Sequence, residues 1–243
     1  MFHHDNKSFY KKKTSCRHFI AALWACGLLI ICHQPALAAE DYSGVGYVKG
    51  ENSTGGTASL VLGRNIILTA AHIFYAHGQL RDSSFFYYPD GLYGAFCKIT
   101  HIIAGSKQPE ATSADQDWAA AKLDCTLPAN YQPFMQFLNS NLGNTPQPAM
   151  LVSYHQANQQ HVGSQKMLYE CDVHGETSQL FTKTLPIIHH DCPSGGGASG
   201  APLIIERYGK AYILGIHSGR TTNGRGIASM ITTDIWQEIQ RLQ

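Results

Sequence analysis

The chain of 243 residues is 44% hydrophobic and 14% charged, and its formal net charge is +1. Five of its 18 Lys and Arg and one of its 17 Asp and Glu precede residue 39, which leaves 13 basic and 16 acidic residues and a net charge of about −3. No basic run or basic-aromatic array follows residue 38, which argues against a nucleic-acid partner.

The first 38 residues have the pattern of a secretory signal peptide. A basic segment at 11–17 precedes an apolar run at 19–32, and Ala36-Leu37-Ala38 supplies an A-x-A cleavage site. The run of 14 residues is short for a membrane span, which needs about 20. We therefore predict a secreted or periplasmic protein cleaved near Ala38, with no membrane association in the mature form. A retained signal anchor is the alternative.

Four cysteines follow the leader: Cys97, Cys125, Cys171 and Cys192. In an exported chain they predict two disulfides, for which three connectivities exist. We favour Cys171–Cys192, because it would brace the segment that leads into a glycine-rich loop, with Cys97–Cys125 as the remaining pair. Free buried cysteines are the alternative.

Short apolar and β-branched segments separated by turn residues dominate the chain and predict an all-β fold. The predicted strands are 45–48, 57–62, 66–69, 85–88, 96–103, 117–123, 150–154, 166–173, 185–189, 202–205, 212–217 and 226–231. Gly63-Arg64-Asn65 predicts a hairpin turn. Residues 139–148, rich in Asn, Gly and Pro, predict a linker between two halves.

The C-terminal tail is the one segment with a helical pattern. Ile235, Ile239 and Leu242 share one face, and Thr232 or Thr233 is suited to the N-cap. We therefore predict a helix within residues 232–243.

Residues 195–202, Gly-Gly-Gly-Ala-Ser-Gly-Ala-Pro, surround Ser199 with almost no side-chain bulk. Such a loop can direct its own N–H groups at a developing oxyanion. A serine nucleophile needs a base, and the base needs an orienting group. His72, at the end of Leu-Thr-Ala-Ala-His, and Asp117, before Trp-Ala-Ala-Ala, are the candidates.

These three motifs, in the order His, Asp, Ser, resemble the chymotrypsin/trypsin family of serine endopeptidases. The resemblance implies two six-stranded antiparallel β-barrels with the active site in the cleft between them. It places the first barrel, with His72 and Asp117, in residues 39–140 and the second, with Ser199, in 141–231. A C-terminal helix would occupy 232–243.

The family mechanism implies that Ser199 attacks the peptide carbonyl while His72 accepts its proton and Asp117 holds the imidazole. The backbone N–H groups of Gly197 and Ser199 would form the oxyanion hole. No cofactor is implied, the partner is a protein or peptide substrate, and we expect a monomer. Asp115 is the rival for the orienting role, but it lacks the small apolar strand that follows Asp117.

Gly215-Ile216-His217-Ser218-Gly219 resembles the segment with which the family lines its pocket and pairs with the substrate backbone. His217 and Ser194 match a histidine and a hydroxyl residue of the bacterial glutamyl-endopeptidase branch. Ser194, His217, Ser218 and Gly219 are therefore the predicted substrate-binding residues, with cleavage after Glu or Asp. The alternative is that His217 is a packed strand residue in a pocket of another specificity.

Two residues depart from the family pattern. Ala198 stands where trypsin-like animal enzymes have the Asp that receives a new N-terminal amine, so activation by that ion pair is not implied. Arg220 stands where a small residue commonly keeps the pocket entrance open. It would either attract an acidic substrate or obstruct the pocket.

Two other classes of protein compete with a protease. A catalytically silent member of the family would act as a secreted binding module. A metal protein would use the cluster His189, His190, Asp191 and Cys192, or the pair His155 and His161, but neither has a recognised ligand spacing. The sequence therefore predicts a cofactor-independent serine endopeptidase.

Overall fold

A computed structural model describes residues 42–53, 55–137, 142, 145–155, 162–177 and 184–243. The predicted signal peptide, half of the predicted linker and His161 lie outside these residues. The described residues contain the predicted strands and the predicted C-terminal helix in the expected order, together with three two-residue strands and three short helices that the sequence did not predict. Among the described residues, no helix is both long enough and apolar enough to cross a membrane.

Residues 42–137 contain nine strands, one short α-helix and two single-turn 3-10 helices. The 3-10 helices are Pro109–Ala111 and Ala114–Gln116. The other elements are β1 (Val45–Gly50), β2 (Gly56–Leu60), β3 (Ile66–Thr69), α1 (Ala71–Phe74), β4 (Tyr75–Ala76), β5 (Gln79–Leu80), β6 (Phe85–Tyr88), β7 (Cys97–Ala104), β8 (Ala119–Leu123) and β9 (Met135–Gln136).

Six of these strands close into a barrel in the order β1-β2-β3-β8-β7-β6, and each neighbouring pair is antiparallel. Their side chains explain the closure. Every residue of β2 and β3 is buried, whereas Phe85 and Tyr87 of β6 point inwards and Phe86 and Tyr88 are half-buried. Each large apolar side chain so buried contributes about 1.5–3 kcal/mol.

Residues 145–243 supply the remaining strands and a helix. These are β10 (Gln147–Ser153), β11 (Met167–Thr177), β12 (Thr184–His190), β13 (Pro202–Arg207), β14 (Lys210–Arg220), β15 (Gly226–Met230) and α2 (Thr233–Gln240). The strands follow the order β13-β10-β11-β12-β15-β14, and an antiparallel β13–β14 pairing closes the second barrel. The prediction of two six-stranded antiparallel barrels is therefore confirmed.

One short strand crosses from the first half of the chain to the second barrel. Met135 and Gln136 of β9 pair in parallel with Tyr212 and Ile213 of β14. The predicted boundary near residue 140 assigned β9 to the first half, whereas its backbone extends the second sheet. Strand β9 is too short to show the period-2 pattern from which a strand is predicted.

The two barrels share a buried apolar cluster, to which α2 contributes. Val45 and Leu68 of the first barrel lie in it with Val152 and Ile204 of the second. Ile239 is fully buried in the same cluster.

Helix α2 begins as the sequence predicts. The backbone N–H of Ile235 donates to the hydroxyl of Thr232 at 3.3 Å, so Thr232 is the N-cap.

Each barrel carries one disulfide, and the favoured pairing is confirmed. Cys97 bonds to Cys125, linking β7 to the segment after β8, and the two Cα atoms are 5.7 Å apart. Cys171 of β11 bonds to Cys192, which follows β12, with a Cα–Cα distance of 4.8 Å. The second disulfide therefore fixes the chain seven residues before Ser199.

Thr57 of β2 joins the first barrel to the loop around Ser199. Its hydroxyl donates to the carbonyl of Gly197 at 2.8 Å and accepts from the N–H of Tyr154 at 2.9 Å. Its backbone N–H donates to the carbonyl of Ser199 at 2.7 Å. Because Thr57 is fully buried, water cannot replace these bonds.

We predict that Thr57→Val lowers the free energy of unfolding by about 2–4 kcal/mol. Valine keeps the shape but leaves the Gly197 carbonyl and the Tyr154 N–H unpartnered, at about 1–3 kcal/mol for each buried group. Urea unfolding measures the loss. Thr57→Ser is the matched control, since it keeps the hydroxyl and costs about 1 kcal/mol. A valine variant no less stable than the serine variant would contradict the prediction.

Candidate active site

His72 and Asp117 come together because their strands are neighbours. His72 lies in α1, directly after β3, and Asp117 lies two residues before β8, which pairs with β3 from Thr69 opposite Ala119. The Nδ1 of His72 lies 2.7 Å from Oδ2 of Asp117. The backbone N–H of His72 also donates to Oδ1 of Asp117, at 2.9 Å. The two residues therefore form a fixed pair.

Asp117 is almost fully buried, with an exposed fraction of 4%. The hydroxyl of Ser218 in β14 also donates to Oδ2 of Asp117. The rival residue Asp115 contacts Ser113 and Gln116 instead. Asp117 thus accepts hydrogen bonds from both barrels, whereas Asp115 accepts no hydrogen bond from His72.

The loop around Ser199 is fixed by its own backbone. The N–H of Ala198 donates to the carbonyl of Gly195 at 3.0 Å, and the N–H of Ala201 donates to that of Ala198 at 2.9 Å. The N–H of Gly200 donates to the carbonyl of His217 at 2.8 Å, which ties the loop to β14. Ser199 itself is half-exposed.

Gly200 makes the close approach of this loop to the first barrel feasible. Its φ is +78°, and a Cβ there would lie 2.1 Å from the hydroxyl of Thr69 and 2.3 Å from the carbonyl of Thr57. Any other residue would therefore displace the loop from β2 and β3.

The N–H groups of Gly197 and Ser199 remain available for a ligand. Among the described residues, neither N–H donates a hydrogen bond. Gly197 has φ +94°, a conformation that favours glycine. The hydroxyl of Ser199 makes no hydrogen bond to His72 or to any other described residue, and contacts of this kind often tighten only when a ligand binds.

His217 lies in β14 beneath this loop, with an exposed fraction of 3%. Its Nδ1 lies 2.9 Å from Nε2 of His190 in β12, whose exposed fraction is 1%. Burial lowers the pKa of His217 well below its usual range, and the charges of His190, His72, His155 and Arg220 act in the same direction. Both rings are therefore neutral at neutral pH.

The same effect acts on His190. Burial lowers its pKa to about 4, helped by the positive charge of Arg220 and opposed by the carboxylate of Asp191. The hydroxyl of Ser194 is also buried, and it has no hydrogen-bond partner among the described residues.

Arg220 connects the two segments that flank this region. Its Nη1 donates to the carbonyl of Ser194 at 3.0 Å, and its Nε and Nη2 donate to that of Gly224 at 3.0 and 2.8 Å. Beside Gly219, a Cβ would meet no atom within 4 Å, so space is open there.

The sequence did not predict His190 as the partner of His217. Their contact follows from the register of the second barrel, where His190 pairs with Gly226 and His217 with Ala228. A single sequence carries no signal for this contact, because the two histidines are 27 residues apart and lie on non-adjacent strands.

The alternative metal cluster at residues 189–192 has two of its four side chains engaged elsewhere. The sulfur of Cys192 is in a disulfide, and the ring of His190 faces His217. Within the described ranges, one group of three potential ligand atoms lies close together, but it contains the disulfide-bonded Cys97 and Cys125.

No protein-family model matches this chain, and no curated protein matches its sequence. Solved structures do. A Glu endopeptidase in complex with MPD has a TM-score of 0.63 at 17% identity, covering 83% of this chain and 90% of that one. A thermostable serine protease from an extremophilic microorganism has a TM-score of 0.66 at 16% identity, and the match covers 83% of this chain and 97% of that one. The Rv3671c protease in its inactive form has a TM-score of 0.56 at 13% identity, and the match covers 85% of this chain and 92% of that one. These similarities establish the chymotrypsin-like fold.

We predict that the free energy of unfolding falls as the pH decreases from about 6.5 to 4. An unfolded histidine takes up a proton near pH 6.5, whereas His190 and His217 in the fold stay neutral, so acid favours unfolding. His190 alone accounts for about 3 kcal/mol across this window. Above pH 6.5 these histidines are neutral in both the folded and the unfolded protein, so their contribution to the free energy of unfolding is constant. Urea unfolding at several pH values measures the slope.

His190→Gln is the control for this slope. Glutamine can still hydrogen-bond to His217 but does not titrate, so its profile should be flatter between pH 6.5 and 4. The lowered pKa values of His217, His155 and His174 leave a residual slope in the variant. Identical slopes in the two proteins would show that His190 is not the neutral buried group described here.

Proposed function

We propose that this protein is an exported serine endopeptidase that hydrolyses peptide bonds through an acyl-enzyme. The observation that carries the proposal is the buried Asp117 carboxylate, which holds His72 through both its ring Nδ1 and its backbone N–H. A histidine oriented in this way keeps Nε2 for a proton from a nucleophile. The likeness of the fold to serine proteases supports the same function.

In this mechanism Ser199 attacks the substrate carbonyl and His72 takes the proton from its hydroxyl. Asp117 fixes the imidazole tautomer and stabilises the imidazolium that forms. The negative oxygen of the tetrahedral intermediate accepts from the N–H groups of Gly197 and Ser199, which no described residue occupies. Losing one such donor typically costs about 10²–10³ in rate. Ser218 acts on this site through its bond to Asp117.

The two disulfides favour an oxidising compartment. Together with the leader pattern, they support secretion or a periplasmic location after cleavage near Ala38. The mature enzyme would then comprise residues 39–243, with the barrel divisions at 39–140 and 141–231 and a peptide or protein as its partner.

We further propose cleavage after acidic residues. Ser194 offers a buried hydroxyl without a partner, and His217 lies beneath the loop with Ser218 and Gly219 beside it. An orphaned buried hydroxyl is costly in a free protein, but it becomes a donor when a carboxylate enters. The similar Glu endopeptidase structure is consistent with this preference.

The test compares purified residues 39–243 with the same protein carrying Ser199→Ala. Both are assayed on matched peptides with Glu, Asp, Arg, Phe or Ala before the scissile bond. Removing the nucleophile should reduce turnover by about 10⁶, because the serine and histidine act as a unit. Hydrolysis after Glu or Asp that disappears in the variant is the expected result.

Labelling with a fluorophosphonate probe serves as the second measurement. Ser199 should react and Ser218, whose hydroxyl is bound to Asp117, should not. A folded protein that neither reacts nor cleaves would contradict the proposal and indicate a catalytically silent binding module. Serine-dependent cleavage after other residues would keep the protease and overturn the acidic preference.

A further inference from the structure

One side chain links the segment at Ser194 to the β14–β15 turn. Arg220, the last residue of β14, donates to the carbonyl of Ser194 on one side and to that of Gly224 on the other. Ser194 precedes Ser199 by five residues, so the guanidinium is bonded to the segment that leads into the nucleophile loop. Two carbonyls hold this cation in one orientation.

The guanidinium of Arg220 retains binding capacity. Of its five N–H groups, three donate to these two carbonyls, which leaves one on each terminal nitrogen without an acceptor among the described residues. In the same part of the chain, no carboxylate forms an ion pair with Arg220. The side chain is also exposed. An anion can therefore approach two unused donors and a full positive charge.

The two buried histidines do not supply this charge. His217 and His190 are almost fully enclosed and share one N···N contact of 2.9 Å, which accommodates a single proton between the rings. Burial and the nearby cation keep both rings neutral. They form a polar but uncharged floor, so the positive charge at this site comes from Arg220.

We propose that Arg220 recognises the acidic side chain of the substrate by pairing its guanidinium with the carboxylate of the residue before the scissile bond. Ser194 adds a neutral hydroxyl donor, and His217 provides the uncharged floor. The inference rests on the proposed function, which it deepens by naming the cationic group.

The test measures binding rather than turnover, so that it does not depend on catalysis. Two peptides that differ only in Glu or Gln before the scissile bond are titrated calorimetrically into Ser199→Ala protein. Glu and Gln have nearly the same shape, so the ratio of their dissociation constants reports charge recognition. We expect the Glu peptide to bind about 10- to 100-fold more tightly, as for a charge-assisted hydrogen bond.

Arg220→Gln, in the Ser199→Ala background, should abolish this preference. The affinity for the Glu peptide should fall by about 10- to 100-fold, and the affinity for the Gln peptide should change by less than about threefold. Arg220→Lys keeps the charge without the planar fork and should retain part of the preference. Arg225→Gln is the matched control, because it removes another exposed arginine five residues away and should leave the ratio unchanged.

Three results would overturn the inference: no Glu preference with Arg220 present, an unchanged preference in Arg220→Gln, or an equal loss for both peptides. The last result would mean that Arg220 only braces Ser194 against Gly224. A Glu preference that depends on Arg220, in a protein that hydrolyses no peptide with Ser199 intact, would leave the inference standing. It would overturn the proposed endopeptidase instead.

Discussion

The arrangement of the site depends on Thr57, a fully buried residue whose backbone and hydroxyl bond to both barrels. It contacts the carbonyls of Gly197 and Ser199 and the N–H of Tyr154, so the loop of the second barrel is attached to a strand of the first. Apolar packing between the barrels is non-directional and would tolerate small shifts. Hydrogen bonds are directional and fix the relative position of the two barrels more closely, as the proposed proton transfer between Ser199 and His72 would require.

A second constraint is the burial of Asp117. A carboxylate removed from water loses several kcal/mol of hydration unless donors replace it. His72 supplies two donors and Ser218 a third, from the other barrel. The fold therefore compensates the charge with the groups that orient the imidazole, and the stability of the site and its geometry have the same origin.

Much of the fold and of the candidate site follows from local sequence signals. Thr232 is a recognisable N-cap, and apolar and β-branched runs such as residues 66–69 predict the strands. His72, Asp117 and Ser199 each lie in a short motif at an element boundary. The His190–His217 contact and the bridge from Arg220 to Ser194 and Gly224 depend on strand register and loop conformation, which a single sequence does not encode as a pattern. Strand β9 was missed for a similar reason, since two residues carry no periodicity.

The placement of charge near Ser194 would have a physical advantage in the proposed recognition of an acidic side chain. A cation fixed at the floor, where His217 lies, would lose its hydration in every molecule of free protein. Arg220 lies at an exposed position and keeps its hydration until a ligand arrives. The neutral imidazoles of His217 and His190 share one hydrogen bond without a charge. Selectivity for a carboxylate then needs no buried charge in the free state, and the desolvation cost is paid only when an ion pair forms to offset it.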